Sequence, residues 1–146
     1  MFHALRADRV RIAALAAATA IAMAGAPGAG LAQSGSGAPA VQSSVAGGVT
    51  VKVTPMAFGP AGSRWEFGVV LDTHSADLSD DLVRSTTLST GDGRTLEPVS
   101  WTGAPPGGHH REGVLAFDVT APRPASIELR IVRPGESEPR IFRWQL

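Results

Sequence analysis

The feature that most constrains this chain is a succession of short segments in which apolar residues recur with a period of two. Val49, Val51 and Val53 alternate with Thr50, Lys52 and Thr54, and Trp65, Phe67, Val69 and Leu71 alternate with Glu66, Gly68 and Val70. A period of two places every second side chain on one face of an extended backbone, so each segment reads as a strand with one buried face. Further runs of this kind occupy residues 83–90, 95–101, 113–119, 126–133 and 140–146. Pro55 ends the first run or marks a sheet edge, because proline has no N–H for a ladder. Gly91-Asp92-Gly93 supplies a tight hairpin, and Pro122, Pro124, Pro134 and Pro139 fall between runs. No stretch after residue 33 carries a sustained 3.6-residue apolar stripe, and the best helical candidate, 79–83, is a single turn. Seven short strands over about 98 residues predict an all-β fold, an immunoglobulin/fibronectin-III-like sandwich of about seven antiparallel strands. A small barrel is the competing architecture.

The strands occupy only part of the 146 residues. Arg6, Arg9 and Arg11 stand against the single acid Asp8, a 15-residue uncharged apolar run follows at 12–26, and Gly30-Leu31-Ala32 ends it with small residues. That order is the pattern of a secretory signal peptide over 1–32. The apolar run is short for a membrane span, which takes ~20 residues, and Arg9 and Arg11 are not adjacent, so a twin-arginine signal is not indicated. Residues 33–48 are Gly, Ser, Ala, Gln, Val and Pro without charge or apolar period, the composition of a flexible tether. The expected organisation is therefore leader, tether and a β-sandwich over 49–146. The expected location is periplasmic or extracellular, with membrane contact only through the transient signal peptide.

Residues 33–146 hold ten Lys+Arg against twelve Asp+Glu. A balance that is slightly acidic offers no basic footprint for nucleic acid. The absence of cysteine excludes a disulfide framework, a thiolate metal site and a cysteine nucleophile. Twelve arginines against one lysine read as coding bias.

The chain has no G-x-S-x-G, no H-E-x-x-H, no P-loop and no G-x-G-x-x-G opening a helix, so no catalytic residue is assigned and the expectation is a non-enzyme. Two segments carry residues that strand and turn physics would not select. They are Asp72-Thr73-His74-Ser75-Ala76-Asp77-Leu78-Ser79-Asp80-Asp81-Leu82 and Pro105-Pro106-Gly107-Gly108-His109-His110-Arg111. If consecutive strands alternate in direction, both segments lie at one end of the sandwich. Asp72, His74, His109 and His110 are then a candidate ligand or metal site, and His74 with His109 or His110 and Asp72 is a usable set for Zn²⁺ or Cu²⁺. The structural alternative is a loop-pinning network, with His109 and His110 pointing to opposite sides. Trp65 and Trp144 read as core. Trp101, beside the proline-glycine segment, is either a contact platform for a sugar or peptide or a plug for the end of the sandwich.

The segments Asp72-Thr73-His74-Ser75 with Asp77-Leu78, and Pro106-Gly107-Gly108-His109-His110-Arg111 leading into Gly113-Val114-Leu115, resemble those of a family of small exported domains of bacteria and archaea. The resemblance spans most of 49–146 and implies an exported β domain. It carries no assigned activity and no catalytic residue. The expected function is an exported, non-enzymatic β-sandwich that binds an unknown protein or small ligand. The alternatives are a periplasmic metal-binding protein and, more weakly, a hydrolase using the same histidines and carboxylates.

Overall fold

The computed structural model describes residues 39–61 and 63–146. The segment read as a signal peptide, 1–32, and residues 33–38 of the tether lie outside the described residues. Strands form where the alternation predicts them: β1 (Gln42–Ala46), β2 (Val49–Phe58), β3 (Ser63–Thr73), β4 (Thr86–Thr90), β5 (Thr95–Leu96), β6 (Ser100–Gly103), β7 (His110–Val119), β8 (Ser126–Ile131) and β9 (Arg140–Gln145), with one helical turn, α1 (Leu82–Ser85), before β4. One sheet has the order β1-β2-β3-β7-β6 and the other β5-β4-β8-β9, and neighbouring strands are antiparallel throughout. Without β1, these are the strand orders A-B-E-D and C′-C-F-G of an immunoglobulin-type sandwich.

The inward residues of both sheets make one core. Trp65, Phe67, Val69 and Leu71 of β3 meet Leu115 and Phe117 of β7, Leu88 of β4, Leu129 and Ile131 of β8, and Phe142 of β9. Phe67 and Phe117 pack edge to face, 5.6 Å between ring centres. Burying one such side chain contributes roughly 1.5–3 kcal/mol, so the period-two pattern is the main driver of the fold. Trp65 is fully buried and Trp144 nearly so, as expected of core residues.

Three sequence expectations change. The segment read as a tether, 33–48, contains β1, which pairs with β2 from Ala46↔Val49 to Gln42↔Val53. Gly47 and Gly48 close that hairpin with φ of 55° and 73°, the positive pair a two-residue turn requires. The 95–101 run is two strands: β5 pairs with β4 in one sheet and β6 with β7 in the other, the chain crossing at Glu97-Pro98. Residues 83–85 of the run at 83–90 belong instead to α1, capped by the Asp81 carboxylate, which accepts from Arg84 N at 3.3 Å. Among the described residues no helix is long and apolar enough to cross a membrane.

β1 also covers the free edge of β9. The Gln42 carboxamide donates to Arg143 O at 2.5 Å and accepts from Arg143 N at 3.1 Å, reproducing one rung of a ladder with a side chain. Trp144 Nε1 donates to Ala40 O at 2.6 Å. An unpaired edge is an aggregation liability, and this contact removes it from β9.

Candidate functional site

The antiparallel register sends four connections to one end of the sandwich: the 47–48 hairpin, the 74–85 loop between β3 and β4, the 104–109 loop between β6 and β7, and the 132–139 loop between β8 and β9. Both singled-out segments are therefore at the same end. They are closer than loop alternation alone requires, because β3 and β7 are direct neighbours with Asp72 opposite His110.

Of the four candidate residues, Asp72 and His110 are brought together. His110 Nδ1 and Asp72 Oδ1 are 2.5 Å apart, and His110 Nε2 lies 3.7 Å from Glu112 Oε2. The hydrogen bond to Asp72 favours the imidazolium and raises the His110 pKa above the ordinary imidazole value, with Glu112 adding to the effect. His74 and His109 are exposed, and neither side chain forms a hydrogen bond among the described residues. His109 contributes through its main chain, whose carbonyl accepts from Thr73 N at 2.9 Å. Among the described residues no group of three or more His, Asp or Glu side chains is placed to hold a metal ion. The set of His74, His109 or His110 and Asp72 is thus not assembled as such; Glu112, two residues along the same strand face as His110, is the neighbour it omitted.

The loops are pinned, but by arginines rather than histidines. Arg111, 2% exposed, sits on the inward face of β7 opposite Leu71. Its guanidinium donates to Ala104 O at 3.0 Å, to Asp80 O at 2.5 Å and more weakly to Leu78 O at 3.4 Å, joining the 104–109 and 74–85 loops. Gly107 N also donates to Leu78 O, at 2.9 Å. Burial lowers the Arg111 pKa, with the charges of Asp80 and Asp81 acting in the opposite sense.

Asp80, fully buried, accepts a two-point hydrogen bond from Arg133, Nε at 2.8 Å and Nη2 at 2.9 Å. Arg133 continues to Glu136 at 3.0 Å, and Glu136 to Arg140 at 2.6 and 2.8 Å. Arg140 then donates to Ser44 O at 2.9 Å and Ala46 O at 2.6 Å, reaching the 47–48 hairpin. Burial opposes the charge of Arg133, but Asp80 and Glu136 outweigh it and raise its pKa. The hydrogen bond from Arg140 holds the Glu136 carboxyl below its usual range, against burial. At the opposite end Arg94 and Arg123 likewise donate to main-chain carbonyls, those of Thr120, Pro122 and Gly59. Arginine abundance that reads as coding bias is, at these positions, a set of loop clamps that a lysine point charge would not reproduce.

Trp101 faces inward at the outer strand of its sheet, half-buried against the core. Its Nε1 donates to Ala104 O at 3.0 Å, and the Arg111 guanidinium lies 5.3 Å from the ring centre. A Cβ on Gly113 would stand 2.6 Å from Trp101 Cζ2 and 2.7 Å from Thr102 O. Gly113→Ala is therefore expected to cost about 1–3 kcal/mol through overpacking, read as a lowered urea midpoint. A change below about 0.5 kcal/mol, the usual range of a neutral surface substitution, would show that the indole and the neighbouring β6 main chain both give way.

Above the buried network the end is open. A depression of about 570 Å³ lined by Arg84, Ser85, Val132 and Pro134 lies on one side of the 132–139 loop. Another of about 430 Å³ lined by Ala46, Gly47, Gly135 and Glu138 lies on the other. Asp72, Asp77, Asp81, Glu112 and Glu138 are exposed around this end, with Arg84 as their exposed cation.

The fold and this end together define an immunoglobulin-type β-sandwich whose loops are locked from within. No family model matches the chain, and no curated protein matches it. Among solved structures it is similar to the 1.5 Å crystal structure of MPT63, a secreted protein from Mycobacterium tuberculosis. That alignment covers 74% of this chain and 92% of the other at 17% identity, with a TM-score of 0.42.

Proposed function

We propose that this protein is an exported, non-enzymatic binding module that recognises a protein partner through the loop end of its sandwich. The observation that carries the reading is the network Asp80–Arg133–Glu136–Arg140 with Arg111, which ties all four connections of that end together in its interior. Buried charges contribute little net stability compared with apolar packing. What they do here is hold loops in one arrangement, and a pre-ordered surface loses less entropy on binding. Sandwich loops at one end are also the usual place for recognition on this fold. Export is supported by the leader-like N-terminal residues and by the resemblance of the two histidine segments to small exported domains. The acidic rim suits a partner with a basic surface, so association should weaken with salt.

The test is capture of envelope or secreted proteins from the host by the immobilised full chain, with the retained species identified by mass. Asp77→Arg with Glu138→Arg is expected to reduce retention at least about tenfold, as 1.4 kcal/mol of lost interaction would. Asp118→Arg, on the sheet face near the opposite end, is expected to leave it unchanged. Equal retention by all three proteins would overturn the reading. So would turnover of a hydrolase substrate that is lost in a His110 variant.

A further inference from the structure

The outer face of the five-stranded sheet holds a second arrangement, at the margin of the acidic rim to which Asp72 and Glu112 also belong. Asp72 and His110 form one rung of the β3–β7 ladder, and Glu112 follows His110 at i+2 on β7. On a strand, residues i and i+2 project to the same face, so His110 and Glu112 are neighbours by geometry rather than by loop conformation.

Their spacing has chemical content. The 3.7 Å between His110 Nε2 and Glu112 Oε2 is too long for a hydrogen bond. Two ligands each about 2.0–2.2 Å from one ion, at a tetrahedral angle, lie about 3.3–3.6 Å apart, which is nearly the separation present. The other ring nitrogen is already engaged, because Nδ1–H donates to Asp72 at 2.5 Å. That bond leaves the lone pair of the neutral imidazole on Nε2, facing Glu112. A carboxylate holding the far side of a histidine ring is the usual outer partner of a metal-bound histidine. The three side chains are 58%, 69% and 53% exposed for His110, Glu112 and Asp72, so water has access to complete a coordination sphere.

We propose that His110 and Glu112 form a two-point chelate for a borderline divalent cation of the Zn²⁺ or Cu²⁺ type, with Asp72 positioning the imidazole and water filling the remaining positions. The site shares His110 and Asp72 with the set of His74, His109 or His110 and Asp72, but it stands on two paired strands, adds Glu112, and uses Asp72 as an orienting group rather than as a ligand.

The experiment is titration of the untagged full chain with ZnCl₂ at pH 8, followed by calorimetry and by side-chain ¹H–¹⁵N spectra of the histidines. The expected result is one saturable 1:1 event in which only the His110 Nε2 resonance takes a metal-bound shift. His110→Gln and Glu112→Gln should each abolish it, and Asp72→Asn should weaken it about 10- to 100-fold, as loss of an outer partner does. His74→Ala and His109→Ala should leave it intact. Absence of saturable binding, binding that survives both glutamine variants, or binding lost equally in the His74 variant would overturn the proposal. Circular dichroism of each glutamine variant separates loss of the site from loss of the fold. Partner capture by the loop end is scored separately, so failure of one proposal leaves the other standing.

Discussion

Replacing Asp80 by Ala is expected to destabilise the protein by about 3–5 kcal/mol, the usual consequence of removing one partner from a buried pair. The magnitude follows from what is left behind. Arg133, with a side chain only 4% exposed, would keep Glu136 on Nη1 but lose both acceptors of Nε and Nη2. Arg111 donates to the Asp80 main chain close by and Arg140 shares Glu136, so the network would hold three buried cations and only Glu136 as a carboxylate. Against a total stability of roughly 5–15 kcal/mol for a domain, this is a large fraction. Replacing the pair together, Asp80→Leu with Arg133→Met, is expected to cost far less, because neither charge then has to be stripped of water. Urea unfolding of the two variants distinguishes the cases. If Asp80→Ala lost less than about 1 kcal/mol, water would be reaching Arg133 and the network would not lock the loops.

The same network sets an acid limit. Hydrogen bonds from Arg140 and Arg133 hold Glu136 below its usual pKa. A carboxyl depressed in the folded state contributes stability that is fully present above its unfolded pKa and lost as pH falls through the lower folded value. Stability should therefore decline on acidification below the ordinary glutamate range, and Glu136→Gln should flatten that part of the profile.

How much of this was readable from residues alone depends on the physics behind each element. β3 is plain in the sequence because Trp65, Phe67, Val69 and Leu71 are selected by core burial, which imposes the period directly. β1 leaves no such trace. Its outward Val45 is 73% exposed, and it is held by the β2 ladder and by Gln42 and Arg140, contacts that impose no apolar pattern. The β5–β6 division is hidden because Thr95–Trp101 alternates well enough for one strand, and only Pro98 marks the change of sheet. Convergence of the two histidine segments follows from alternating strand direction, so it was legible as topology. The pairing of Asp72 with His110 needed the β3–β7 register, and Glu112 was visible only as the i+2 neighbour of a strand histidine. The arginine clamps were the least legible, since a guanidinium bound to loop carbonyls has no fixed spacing from its acceptors.

Arg111→Met should cost about 2–4 kcal/mol, and the sign rests on opposing effects. Met retains much of the stem that packs in the interior, so loss of apolar contact is small. Removing the charge relieves the burial that lowers its pKa, which favours the variant. Against this, Asp80 O loses its donor at 2.5 Å, and an unsatisfied buried acceptor costs about 1–3 kcal/mol, while Ala104 O loses one donor and keeps Trp101 Nε1 at 3.0 Å. The guanidinium over Trp101 is also lost, worth up to about 2 kcal/mol when desolvated. One orphaned carbonyl, one weakened carbonyl and a ring contact outweigh the relief. Arg111→Lys should recover little, because one ammonium cannot reach acceptors on both loops in the fork geometry of a guanidinium. The loss should also be local: the Gly107 amide, bonded to Leu78 O across the same two loops, should exchange with solvent faster in Arg111→Met, while amides of β8 and β9 follow global unfolding. Unchanged exchange at Gly107, or a stability within 1 kcal/mol of the parent, would mean that the loops hold each other through the main chain alone. The charged interior would then be a consequence of the loop arrangement rather than its cause.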